Sequence, residues 1–130
     1  GAKVNIADNQ KMTALMFATL EGRERVVSLL LDWKADVNAA DAEGISSLML
    51  AGNEGRTEIA RLLIKHGAKI NWQSKSGSSA LMEAALEGRT DTVKLLVDAN
   101  ADPSLSDLLE RTALVIAEQQ DHLDIVEMLK

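Results

Sequence analysis

The sequence predicts an all-α solenoid in which short helix–turn–helix units are stacked and joined by hairpin-like turns. Three observations predict it. One stretch recurs four times, as Thr13-Ala14-Leu15-Met16, Ser46-Ser47-Leu48-Met49, Ser79-Ala80-Leu81-Met82 and Thr112-Ala113-Leu114-Val115, and Ala18, Ala51, Ala84 or Ala117 follows each copy. The copies start at positions 13, 46, 79 and 112, a constant period of 33 residues without insertion, which marks a stacked repeat architecture. Within each copy apolar residues fall at helical spacing in segments too short to be stable alone.

On this period the chain is one repeat domain, residues 1–130, with units at about 1–33, 34–66, 67–99 and 100–130. The units open with Gly1-Ala2-Lys3-Val4-Asn5, Lys34-Ala35-Asp36-Val37-Asn38, Gly67-Ala68-Lys69-Ile70-Asn71 and Asn100-Ala101-Asp102-Pro103-Ser104. Glycine in the first place ends the preceding helix in the left-handed region, and Asn100 tolerates that geometry. Lys34 is misplaced there, at a cost of about 1 kcal/mol. A turn follows at Asp8-Asn9-Gln10-Lys11, Asp41-Ala42-Glu43-Gly44, Ser74-Lys75-Ser76-Gly77 and Asp107-Leu108-Leu109-Glu110, with Asp or Ser at its first place and, in the second and third units, Gly at its fourth as turn residues. Thr13, Ser46, Ser79 and Thr112 are placed to cap a first helix.

That helix stops at Gly22, Gly55 or Gly88, with Asp121 as the exception. A second helix carries Val26, Val27, Leu29 and Leu30, then Ile59, Ala60, Leu62 and Leu63, then Val93, Leu95 and Leu96, then Ile125, Val126, Met128 and Leu129. Each unit is stabilised by burying one face on the next.

The unit resembles the ankyrin repeat, whose signature pairs T-P-L-H-x-A with G-A-D-V-N at this period. The resemblance covers nearly the whole chain and implies the ankyrin fold and a protein-binding role. Two departures stand out: the proline is Ala or Ser in every copy, and the histidine is Met or Val. Met16, Met49 and Met82 therefore replace polar ties between units with packing, which specifies a unique arrangement less sharply. The chain starts within the opening loop, and neither terminal unit carries an evident polar outer face. A segment of a longer array, or an engineered scaffold, is the expectation from those ends.

Composition narrows the function classes. Only 2% of residues are aromatic against 46% hydrophobic, which suits small helices in close contact. A net charge of −6 argues against non-specific nucleic-acid binding, which needs a basic surface. The absence of cysteine removes thiolate chemistry and Cys-type zinc sites. No apolar run is long enough to cross a bilayer. The expectation is a soluble intracellular protein of cytoplasm or nucleus, without membrane or nucleic-acid partner.

No constellation for catalysis, cofactor or metal is found. His66 and His122 occupy non-equivalent positions; His66 reads as a cation at a helix C-terminus. Ser74, Ser76, Ser78 and Ser79 lack phosphate-loop spacing. The expectation is a non-enzyme with no cofactor.

The runs Glu21-Gly22-Arg23, Glu54-Gly55-Arg56 and Glu87-Gly88-Arg89 read either as a charge ladder between units, weak at an exposed surface, or as the rim of a binding face. The positions that vary between copies carry more, because the fold does not dictate them. The resemblance implies a concave contact surface made of turn tips and first helices. On this chain that surface draws partner-binding candidates Met12, Phe17, Leu20 and Glu21, then Ile45, Leu50 and Glu54, then Trp72, Lys75, Glu83, Leu86 and Glu87, then Leu108, Leu109 and Arg111, with Ile116 beside them. An apolar patch with a charged rim is how an interface reads, and Trp72 and Phe17 are the expected anchors. Met12, Ile45 and Leu50 have packing between units as their alternative, and Trp33 reads as local packing.

The resemblance also implies that Asn38 matches a loop asparagine open to hydroxylation, better than Asn71; the competing reading is a turn asparagine holding its loop. The expected partner is another protein of unknown identity, with self-association through uncapped terminal repeats as a further option. The rival function is a structural spacer within a longer array.

Overall fold

The computed structural model describes residues 2–130, so the helix-ending role expected of Gly1 lies outside the described residues. A 3-10 turn over Ala2–Asn5 leads into eight helices: α1 (Ala14–Glu21), α2 (Glu24–Asp32), α3 (Ser47–Glu54), α4 (Thr57–Lys65), α5 (Ala80–Leu86), α6 (Thr90–Asp98), α7 (Ala113–Gln119) and α8 (Leu123–Leu129). They pair antiparallel within each unit. The first helices stack in the order α1, α3, α5, α7 and the second in the order α2, α4, α6, α8. The result is a two-layer helical solenoid. None of these helices is long and apolar enough to cross a membrane.

Local chemistry accounts for the boundaries. The side chains of Thr13, Ser46, Ser79 and Thr112 each accept an N–H from three residues on, at 3.3 Å, from extended backbone. Gly22 and Gly55 close α1 and α3 with φ of 73° and 70°. Asp121 adopts the same left-handed geometry with φ 58°, and Lys34 does so with φ 70° at the end of the first unit. The core is one ribbon between the layers, running from Leu15 and Val27 through Leu48, Ile59 and Leu63 to Leu81, Val93, Leu96 and Ile125.

Met16, Met49 and Met82 are all buried, the last two within this ribbon. Packing is not the whole role of Met16, since its Sδ also accepts the Thr13 N–H at 3.4 Å.

The turns project from the first helices as fingers. Asp8, Asp41, Ser74 and Asp107 each donate a main-chain N–H to the carbonyl four residues on, at 2.9–3.0 Å. Isolated antiparallel bridges, Ala7 to Thr13 and Ala40 to Ser46, close the bases of the first two.

Candidate functional site

The glycine–arginine runs turn out to be joints and not a charge ladder. Arg56 Nη2 donates to the Leu20 carbonyl at 2.9 Å, and Arg89 Nε to the Asn53 carbonyl at 2.9 Å. His122 Nε2 holds the Leu86 carbonyl at 3.1 Å. In each case a side chain of the following unit reaches back to the open carbonyls at the end of the preceding first helix, where the helix dipole favours the two arginines as cations. The reach requires glycine: a Cβ at Gly22, Gly55 or Gly88 would lie 2.7–2.8 Å from the incoming Arg56, Arg89 or His122. Arg56 Nε is buried there without a partner. Within the runs Glu21 and Arg23 of one unit form an ion pair, at 3.3 Å and well exposed; among the described residues no such pair joins one unit to the next.

Two further ties join the units. Asn5, Asn38 and Asn71 accept the N–H of Asp36, Lys69 and Asp102 at 2.7–2.8 Å. Asn38 also donates from Nδ2 to the Gly67 carbonyl at 3.2 Å, so its side chain ties the loop of the next unit and not, as the sequence suggested, its own. Along the fingers, Ala42, Lys75 and Leu108 donate N–H to the carbonyls of Gln10, Glu43 and Ser76 at 2.9–3.0 Å.

Against this frame the candidate residues separate. Ser76, Ser78, Met82, Glu83, Leu86, Asp107, Leu108, Leu109, Arg111 and Ile116 line a cleft of about 170 Å³ between the third and fourth fingers. Leu108 and Leu109 stand over it 75% and 73% exposed. Glu83 is fixed at its wall: Oε1 accepts from Asn53 Nδ2 at 2.9 Å and Oε2 from the Ser78 hydroxyl at 2.6 Å. Each oxygen keeps a lone-pair direction for another donor.

Arg111 is committed within its own finger, with Nη2 2.9 Å from Asp107 Oδ2 and Nε 3.0 Å from it. Burial pushes the Asp107 carboxyl pKa up. Bonds from the Arg111 N–H and guanidinium and the Leu109 N–H outweigh that and hold it below the ordinary value.

Ile116 is 4% exposed, so it forms floor and not contact surface. Ser76, Ser78, Met82 and Asp107 enter the cleft from outside the expected set; their sequence signals are those of a stacking residue, Met82, and of turn residues.

The other candidates lie further along the same side. Phe17 is half exposed on α1, while Met12, Leu20, Ile45 and Leu50 are partly buried. Ile45 and Leu86 pack on the core. Lys75 and Glu87 are exposed, and Glu54 is partly so.

Trp72 is 40% exposed and tied to its neighbours. Its Nε1 donates to the Gly44 carbonyl at 2.8 Å, and Lys69 Nζ lies 5.9 Å from its ring centre. Trp33 is 53% exposed, contrary to the packing role expected of it, because its indole lies at the C-terminal end of α2. His66 sits at a helix end as expected, Nδ1 3.0 Å from the Leu62 carbonyl. Among the described residues no cluster of three His, Cys, Asp or Glu could hold a metal ion.

A family model described as "Ankyrin repeats (3 copies)" matches residues 48–130, and one described as "Ankyrin repeat" matches residues 10–42. The chain belongs to the ankyrin repeat family. Ankyrin repeats generally serve as protein–protein interaction modules, and they are typically non-catalytic. Among curated proteins no significant match to the chain was found. The ankyrin histidine is absent from these four copies, and the joints described above carry the polar ties between units.

Proposed function

We propose that this ankyrin chain is a non-catalytic binding module that takes a segment of a partner protein along its fingers and first helices. The cleft between the third and fourth fingers is its principal seat. One apolar side chain of the partner enters between Leu109 and Leu86, over Met82 and Ile116, and a neighbouring cation meets Glu83. The observation that carries this reading is the pairing of two well-exposed leucines with a carboxylate already fixed by Asn53 and Ser78. A fixed acceptor loses little freedom on binding, and apolar anchors in a central pocket supply most interface energy. Phe17, Leu20, Glu21, Leu50 and Lys75 extend the same surface.

Panning a random peptide library on the chain tests the proposal. Enriched peptides are expected to pair a large apolar residue with Lys or Arg and to bind Leu108→Ser/Leu109→Ser about 30-fold more weakly, as for anchors worth about 2 kcal/mol. Glu83→Gln is expected to relax the preference for the cation. Trp72→Phe keeps the ring and removes the Gly44 bond, so it separates contact from finger support. Peptides that bind the double serine variant unchanged would refute the cleft as the seat.

A further inference from the structure

The units are equivalent in register, so each position on the outer side of the first unit can be compared with its three internal counterparts. Ala14 is exposed, whereas Ser47, Ala80 and Ala113 are each 1% exposed. Val26 is 41% exposed, whereas Ile59, Thr92 and Ile125 are at most 1% exposed. Among the described residues Arg23 has only Glu21 as partner, whereas Arg56, Arg89 and His122 each bind a carbonyl of the preceding unit. A small residue on the first helix, a β-branched residue on the second and an arginine or histidine at the joint are what the internal units present to the unit before them.

The opposite end lacks the matching features. Asp121 stands where Gly22, Gly55 and Gly88 leave room for the incoming side chain. Glu118 is exposed where Thr19, Gly52 and Ala85 are buried under the next unit. Ser104 replaces the bridging asparagine, and its hydroxyl donates to Asp102 Oδ1 of its own loop at 2.6 Å. A carboxylate in the middle of a stacking face is expensive to bury, so this end does carry a polar outer face.

We infer that the outer side of the first unit, through Ala14, Arg23 and Val26, is a stacking surface for a further ankyrin-type repeat whose first helix ends in glycine, and that the face beyond α7 and α8 is not one. The inference concerns a different surface from the cleft and stands independently of it. It extends an interface that the chain already repeats three times, with Arg23 as the donor to the added unit's terminal carbonyls. A second copy of the chain fits poorly, because its available end presents Asp121 and Glu118.

Two extended chains test this. A copy of Lys34–His66 placed before Gly1 recreates the His66–Gly67 junction, and a copy of Asp32–His66 placed after Lys130 keeps the period. The N-terminal extension is expected to raise the urea midpoint, and Arg23→Ala to lower it in the extended chain but not in the parent. The C-terminal extension is expected to leave it unchanged. No rise from the first, or an equal rise from both, would overturn the inference. So would concentration-dependent dimerisation of the parent that Val26→Asp abolishes, since that would make a second copy the occupant.

Discussion

Arg56 donates to the Leu20 carbonyl at 2.9 Å through the space that a Cβ on Gly22 would fill. The glycine and the arginine, one unit apart, are therefore one device. Gly22→Ala forces the guanidinium aside and strains φ 73°, so it is expected to destabilise by about 1–2 kcal/mol. Arg56→Ala is expected to cost a similar amount by leaving the carbonyl open. A double-mutant cycle in urea should show the two losses to be clearly less than additive; full additivity would mean that the residues act separately.

Lys34 holds φ 70° where the third unit has Gly67. Lys34→Gly is expected to stabilise the chain by about 0.5–1 kcal/mol, the left-handed penalty removed less the added freedom of the unfolded chain. Asn100→Gly, at φ 69°, should gain less because asparagine tolerates the region. Thermal denaturation of the two variants ranks them.

Gly52 lets α3 approach α5 closely, since a Cβ there would lie 2.8 Å from the Ala80 carbonyl oxygen. Gly52→Ala should therefore destabilise by about 1–3 kcal/mol despite the better helix propensity of alanine. A neutral or stabilising result would show that the two helices can part without loss.

The Asp107 carboxyl is pushed up by burial but held below its ordinary 3.8 by the Arg111 and Leu109 bonds. Folding thus favours the ionised form. Its contribution is fully present above 3.8 and falls away as pH drops through the lower folded value. The stability difference between the parent and Asp107→Asn is expected to be larger at neutral pH than in that acid window. Carboxyl NMR titration of Asp107 should give a midpoint under the ordinary value.

The period, the caps and most helix ends were legible because their causes lie within a few residues of one another. Thr13 and Met16, or Ser46 and Met49, are neighbours on one turn of helix. What escaped were groups whose partners are main-chain atoms of another unit. Beside Glu54 and Glu87, Arg56 and Arg89 look like members of ion pairs, and a carbonyl 36 residues away leaves no side-chain signature. The invariant glycine before each arginine was the available signal.

Trp72 read as a free aromatic because nothing in its own unit claims the indole N–H that Gly44 accepts. The candidate surface was legible as a set of varying positions. Which of them converge on one cleft followed only from the finger geometry, which sets Ile116 beneath Leu108 and Leu109.

The indole bond from Trp72 to Gly44 gives the molecule a built-in optical reporter. Trp33, 53% exposed at the end of α2, emits from the first unit. When the second and third fingers part, Trp72 loses its carbonyl partner, so the emission of Trp72 follows the opening of that seam.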